Sequence, residues 1–158
     1  MPPKAPRKIV KQAEARDNEA SLTAKAAEVA ALIRAASHVV FFTGAGISTS
    51  AGISDYRGPD GVWTREKKGL KQSHILTHDE LLQSLPTPAH MALVKLFQTF
   101  ARNKRNQEDG KVKKMYLISQ NCDGLHRRSG IASIEISEVH GNVNAEKCET
   151  CNREYLRD

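Results

Sequence analysis

Several short groups of residues in this 158-residue chain have types and spacings that could do chemistry. Gly44-Ala45-Gly46, with Ser48 two residues on, follows the apolar run Val39-Val40-Phe41-Phe42. A buried parallel strand ending in a phosphate-binding turn has this pattern. Glycine has no Cβ, so backbone N–H groups can come close to a pyrophosphate, and a following helix would point its positive end at the same anion. The ordinary dinucleotide fingerprint wants a third glycine where this chain has Thr49. Spacing alone leaves two readings: a nucleotide-binding turn of another type, or a Gly-rich turn with no ligand. His140, just past an apolar–polar alternation and next to Gly141, suits proton transfer at neutral pH. Gln120-Asn121-Cys122-Asp123 puts an amide and a carboxylate two residues apart, a pair suited to orienting a sugar and a carboxamide. The alternative is a polar loop that merely caps a helix. Cys148 and Cys151 form a Cys-x-x-Cys pair, which can hold one side of a tetrahedral zinc. Cys122 is a poor third ligand. A redox pair is the competing reading, but no strand leads into a helix there.

The elements that must position these groups read as an α/β fold. Asp17 or Asn18 can cap a helix whose stripe Leu22, Ala26, Val29 and Ile33 is expected to pack on the sheet as core. Strand 39–42 follows, then a Gly- and Ser-rich loop with Asp55-Tyr56-Arg57 and Trp63, which reads as an ordered loop laid over a ligand. Gly52, Gly58 and Gly61 give that loop freedom to close. Thr77 starts a short capped helix, and Pro88 starts a longer one with Met91, Leu93, Val94, Leu96, Phe97 and Phe100 on its buried face. His90 precedes that face and reads as structural. Residues 101–114 read as a basic loop, 115–119 as a second buried strand, and 134–139 as a third. Strand, helix, helix, strand is the order of a parallel sheet, whose ligands collect at the carboxyl ends of strands.

The run from Gly44 to Arg57, then Gln120-Asn121-Cys122-Asp123-Gly124-Leu125-His126, then His140-Gly141-Asn142, closely resembles the three signatures of the sirtuins, in order. Gly58-Pro59-Asp60-Gly61-Val62-Trp63-Thr64 and the Asn-Cys-Asp triplet resemble the nuclear and nucleolar branch, class IV. The resemblance implies a Rossmann-like parallel sheet with flanking helices, incomplete here, plus the start of a small zinc-binding module. It implies NAD-dependent removal of acyl groups from protein lysines. In that family the acyl carbonyl oxygen attacks C1′ of the nicotinamide ribose, nicotinamide leaves, and the acyl group ends on ADP-ribose. His140 would be the general base on a ribose hydroxyl, with Asn121 and Asp123 placing the ribose, its water and the nicotinamide. Gln120 would contact ribose. Ala45, Asp55, Tyr56 and Arg57 would line the phosphate and nicotinamide side, Gly44, Gly46 and Ser48 would shape the turn, and Trp63 would close over the cofactor. Ser54 stands where the family usually has proline.

The resemblance covers roughly residues 20–152. Its second cysteine pair and its later strands fall outside the chain, so a truncated enzyme with half a zinc site, Cys148 and Cys151, is expected. The implied divisions are a disordered basic arm over 1–16, a partial NAD-binding domain over 17–142 with cofactor loop 52–64, and the start of the zinc module over 143–158. A protein mono-ADP-ribosyltransferase sharing the NAD site is one alternative. A non-catalytic fragment that binds chromatin or RNA is another.

Composition narrows the setting. Lys and Arg outnumber Asp and Glu by 24 to 18, and the excess of six favours an anionic partner. The basic arm and the basic 101–114 loop could contact nucleic acid or chromatin. The arm could equally serve nuclear import or be an inert tail. Three cysteines and no signal peptide point to a reducing compartment. No apolar run approaches the roughly twenty residues of a membrane span. A nuclear or nucleolar location and an acyl-lysine protein substrate, such as a histone, follow from the resemblance.

Overall fold

The computed structural model describes residues 16–71, 76–103 and 114–157. The basic arm through residue 15 and most of the basic loop (104–113) lie outside the described residues. The chain divides into two units, 1–36 and 37–158.

The first unit contains α1 (Glu19–Ala35). Asn18 caps it, its side chain accepting from the Ser21 N–H at 2.9 Å, while Asp17 pairs with Lys25 at 2.8 Å. The expected burial of its apolar stripe is not observed. Leu22 is 59% exposed and Val29 53%, and no residue of α1 is buried. The stripe is thin and alanine-rich. Ala-rich sequence and local capping form a helix without needing burial.

The second unit is built on a three-stranded parallel sheet in the order β1 (His38–Thr43), β2 (Lys114–Ser119), β3 (Ile136–Glu138). Register sets Phe41 beside Leu117 and Leu117 beside Ile136. Between β1 and β2 lie α2 (Val62–Lys67), α3 (His78–Gln83) and α4 (Pro88–Asn103). Thr77 caps α3 through a capping box with Glu80, as its sequence implies. Helix α4 runs through Asn103, past the expected loop boundary at 101, and Met91, expected on its buried face, is 49% exposed in the first turn. Its residues Val94 and Phe97 meet Leu117, Ile131 and Ile136 in the core, with Phe41 packed against Phe97 at 6.0 Å. That is apolar burial of the kind that drives folding.

Three local readings change. Strand β1 is covered on one side, with Val40 and Phe42 more than half exposed, so its apolar run alternates in burial. The expected third strand is half strand: 133–135 form a 3-10 turn, its Glu135 N–H donating to the Ala132 carbonyl, and only Ile136–Glu138 pair with β2. The glycine turn does not feed an α-helix. Two 3-10 turns, Ala45–Ile47 and Thr49–Ala51, follow it and end at Gly52, whose φ is 85°. Short Ser, Thr and Gly residues favour such turns over helix. After β2 come α5 (Leu125–Arg128), β3, and an antiparallel hairpin of β4 (Ala145–Lys147) and β5 (Glu154–Leu156).

Candidate functional site

The carboxyl ends of β1 and β2 lie side by side, with Thr43 registered on Ser119. Each strand therefore delivers its loop to the same edge. The two loops are tied by side chains far apart in sequence. Asn121 donates through Nδ2 to the Gly44 carbonyl and to Ser48 Oγ, both at 3.1 Å. Ser48, fully buried, donates its hydroxyl to Asp123 Oδ2 at 2.6 Å. The other Asp123 oxygen accepts the Leu125 N–H at 2.9 Å. Gly44, Ser48, Asn121 and Asp123 thus form one hydrogen-bonded floor, with the Gln120 side chain at van der Waals distance from the Gly44 position. A carboxylate held by a hydroxyl and a backbone amide is kept in place.

The turn itself has spare room. Gly44 and Gly46 both have φ outside the left-handed region. A Cβ at Gly46 would meet nothing within 4 Å, and one at Gly44 would meet only Gln120 Nε2 at 3.9 Å. Neither backbone conformation nor internal packing requires glycine there. Its absence of a side chain leaves space for an outside group, so these residues fit a closely approaching phosphate.

Asp55, Tyr56, Arg57 and Trp63 gather separately. The Tyr56 and Trp63 rings lie 5.1 Å apart, and the Arg57 guanidinium sits 5.4 Å over Trp63. The Val62 and Trp63 N–H groups donate to the carbonyls of Asp55 and Tyr56. The Asp55 carboxylate fills the hollow between Gly58 and Gly61, where a Cβ at Gly61 would come within 2.6 Å of it. The loop closes on itself, and Tyr56 and Trp63 remain about half exposed.

His140 is exposed on the turn after β3. The ends of that turn are fixed. The Val143 N–H donates to the Cys122 carbonyl, and the buried Asn144 side chain donates to the Asp123 carbonyl at 3.3 Å. Asn142 donates to Glu138, which pairs with Arg127 at 3.6 Å; Arg127 also pairs with Glu154 of β5 at 2.8 Å. Burial pushes the Glu138 carboxyl up, opposed by Asn142 and Arg127. His140 therefore rides on a turn anchored to the Asn121–Asp123 loop.

Cys148 and Cys151 sit in the β4–β5 turn. The backbone N–H groups of Cys151 and Thr150 point at the Cys148 sulfur and lower its thiol pKa. Two thiols on one turn fit half of a tetrahedral zinc site. Among the described residues no cluster of three or more His, Cys, Asp or Glu side chains completes it.

Sequence reasoning missed a buried layer beneath the glycine turn. His90 and His126 are 0% and 2% exposed, with rings 4.6 Å apart. His126 Nε2 lies 2.9 Å from Thr43 Oγ1, and His90 Nδ1 lies 2.8 Å from Thr87 Oγ1. Burial lowers both imidazoles, opposed by the Asp123 charge; His126, next to a second imidazole, falls to about 4. His90 is structural, as its position suggests. For His126 the signal was its place three residues after Asp123, in the first turn of α5.

Comparison with known proteins agrees with this architecture. The sequence profile described as "Sir2 family" matches residues 44–158. The chain is 45% identical over 143 residues to the NAD-dependent protein deacetylase Sirt6 of Drosophila melanogaster, covering 90% of this chain and 40% of that protein. It is 43% identical over 149 residues to human NAD-dependent protein deacetylase sirtuin-7, covering 93% and 33%. Among solved structures, a Sir2–p53 peptide–NAD+ complex matches with a TM-score of 0.52 at 28% identity, over 82% of this chain and 51% of that one. Sir2Tm bound to a propionylated peptide matches with a TM-score of 0.51 at 30% identity, over 84% and 52%. The chain thus spans well under half the length of the curated relatives and about half of the solved chains. The parallel sheet, the glycine turn and the loop that carries Asn121 and Asp123 are those of one lineage: this chain belongs to the Sir2 family.

Proposed function

We propose that this chain supplies the NAD-binding half of an NAD-dependent protein-lysine deacylase. The observation that carries this reading is the open glycine turn over a fixed polar floor: room at Gly44 and Gly46 that the protein does not use itself, above Asn121 and Asp123. The Sirt6 and sirtuin-7 relatives, both named NAD-dependent protein deacetylases, support the same chemistry. NAD supplies, when bound, a ribose with a good leaving group. The chain's own part is positional. Gly44, Ala45 and Gly46 receive the phosphates on a turn that buried Ser48 holds in shape, while Gln120, Asn121 and Asp123 orient ribose and carboxamide. Asp55, Tyr56, Arg57 and Trp63 cover the cofactor and exclude water. His140, exposed on the turn after β3, takes the proton from a ribose hydroxyl.

The finer points belong to the same reading. Cys148 and Cys151 give two of four structural zinc ligands. The functional divisions are an arm over 1–16, the NAD-binding part over 17–142 and the start of the zinc module from 143. The substrate is an acyl-lysine protein such as a histone, and the location is nuclear, supported by the class IV resemblance and by the excess of six positive charges, which also suits chromatin.

Two measurements test the proposal. NAD binding should raise the melting temperature of the chain, because a ligand that binds only the folded state stabilises it. Nicotinamide release from NAD with an acetyl-lysine histone peptide should fall by roughly 10²-fold or more in His140→Ala, the scale of a lost general base. No binding and no His140-dependent release would overturn the proposal. Label from NAD appearing on protein, in place of acyl-ADP-ribose, would identify an ADP-ribosyltransferase.

A further inference from the structure

The buried layer under the glycine turn holds two polar atoms without partners: His90 Nε2 and His126 Nδ1. An unpaired buried imidazole nitrogen is costly, and two on adjacent rings invite a shared explanation. Proton counting supplies one. The Thr87 hydroxyl donates to the Ile47 carbonyl at 2.9 Å, which uses its only proton. Thr87 Oγ1 nevertheless lies 2.8 Å from His90 Nδ1, so that contact must take its proton from the ring. The Thr87 N–H also approaches Nδ1, but at 3.2 Å; if it were the true donor, the 2.8 Å contact would set two lone pairs against each other. A proton on Nδ1 leaves Nε2 of neutral His90 a bare acceptor. It lies on a ring 4.6 Å from His126, whose own unpartnered atom is Nδ1. If His126 also carries its proton on Nδ1, its Nε2 accepts from the Thr43 hydroxyl at 2.9 Å. Every side-chain donor then finds an acceptor in one direction, and the Thr87 N–H is the one donor that gives up its contact with Nδ1.

We propose that Thr43, His126, His90 and Thr87 form one directed hydrogen-bond chain, closed by His126 Nδ1–H donating to His90 Nε2 through one buried water, which braces the glycine turn at both ends and makes the two histidines positioning residues for the cofactor. Thr43 immediately precedes Gly44, and Ile47 ends the first 3-10 turn, so the chain spans the turn from below. The lowered pKa values of both rings keep them neutral, as a one-way chain requires. A water fits the requirement for polar partners at such a site. The role of the brace in cofactor binding rests on the NAD reading above; the existence of the brace does not.

The test separates the two. Nitrogen-15 NMR of the protein at pH 7.5 should show both His90 and His126 as neutral Nδ1–H tautomers. Either ring in the Nε2–H form would overturn the chain. Thr87→Val, nearly isosteric, should shift the His90 tautomer. It should also speed exchange of the Ile47 and Ser48 amides, which bond within the turn, by about tenfold, the loss of one buried hydrogen bond. Amides of α4 should be unchanged. Unchanged turn exchange would overturn the bracing. NAD binding should weaken by a similar factor in Thr87→Val and in Thr43→Val, and equal affinity in both variants would overturn the positioning role. A wild-type protein that binds no NAD but shows both tautomers and the local exchange effect would remove the NAD reading while leaving the brace intact.

Discussion

The floor of the candidate site and the loop that would cover it are built by opposite means. On the floor, Ser48 reaches Asp123 and Asn121 reaches Gly44 across more than seventy residues of sequence. Those bonds exist only if β1 and β2 are already paired. In the loop, Tyr56, Arg57 and Trp63 meet within eight residues, and the backbone bonds run from 62 and 63 to 55 and 56. The floor is therefore part of the fold, while the loop is a locally closed unit that can move without unfolding anything. A preorganised floor costs no reorganisation when ligand binds, and a separable cover can open for entry and release. Substitutions should sort accordingly: those on the floor lower both stability and binding, and those in the loop lower binding alone.

Asp123→Ala should give the largest effect. It strips the Ser48 hydroxyl and the Leu125 N–H of their acceptor in a buried setting. We expect a loss of about 2–4 kcal/mol in stability from those orphaned donors, read by urea unfolding, and loss of measurable NAD binding by calorimetry. Normal binding with lowered stability would make the floor a structural feature only and break the comparison.

Gly124→Ala comes next. Gly124 has φ 75°, and an added Cβ would sit 2.8 Å from Asn144 Nδ2 and 3.1 Å from Asn142 Oδ1. Asn144 is buried and bonded to Asp123, so it cannot swing away freely. A cost of about 1–3 kcal/mol is expected from the left-handed backbone and the clash together. Because Asn142 and Asn144 anchor the turn of His140, nicotinamide release should fall more than NAD affinity does. An equal fall in both would show that Asn142 and Asn144 serve the floor and not the turn.

Acid should act on the floor as well. His126 has its pKa lowered to about 4 and His90 is lowered too, mainly by burial. Their neutral forms are favoured by the fold, so this stability is fully present above the ordinary histidine value near 6.5. It is lost as pH falls from there towards 4. The urea midpoint should drop over that window, and His126→Asn should flatten the drop. An unchanged pH profile in His126→Asn would show that carboxylates, not this imidazole, set the acid sensitivity.

How much of this could be read from the sequence follows the same division. The turn at Gly44–Gly46, strand β2 and the capping box at Thr77 were legible because each depends on near neighbours. The 55–63 loop was legible as an ordered Gly-rich segment for the same reason, but Gly58 and Gly61 make room for the Asp55 carboxylate. The His90–His126 layer was not. Neither histidine's local context points to the other, and only the tertiary fold brings their rings to 4.6 Å. The overextended third strand failed differently. Apolar–polar alternation reports the two faces of a segment and not its backbone conformation, and 133–135 close a 3-10 turn before the strand begins. The stripe on α1 marked a helix correctly and its burial wrongly, since periodicity reports the face and not what covers it.

Trp63→Ala should have the smallest effect on stability and so tests the comparison most sharply. Trp63 is 45% exposed, and its contacts are Tyr56 and the Arg57 guanidinium. A stacked aromatic pair is worth about 0.5–1.5 kcal/mol and an exposed cation–π contact about 0.5–1 kcal/mol. Both lie inside the loop, so their loss opens the loop and leaves the sheet untouched. Global unfolding should therefore shift by less than about 0.5 kcal/mol, as for a surface substitution. NAD affinity should fall roughly tenfold, the equivalent of about 1.4 kcal/mol no longer holding the cover in place. A large fall in global stability would mean that the loop is part of the folded floor, and the division between the two regions would not stand.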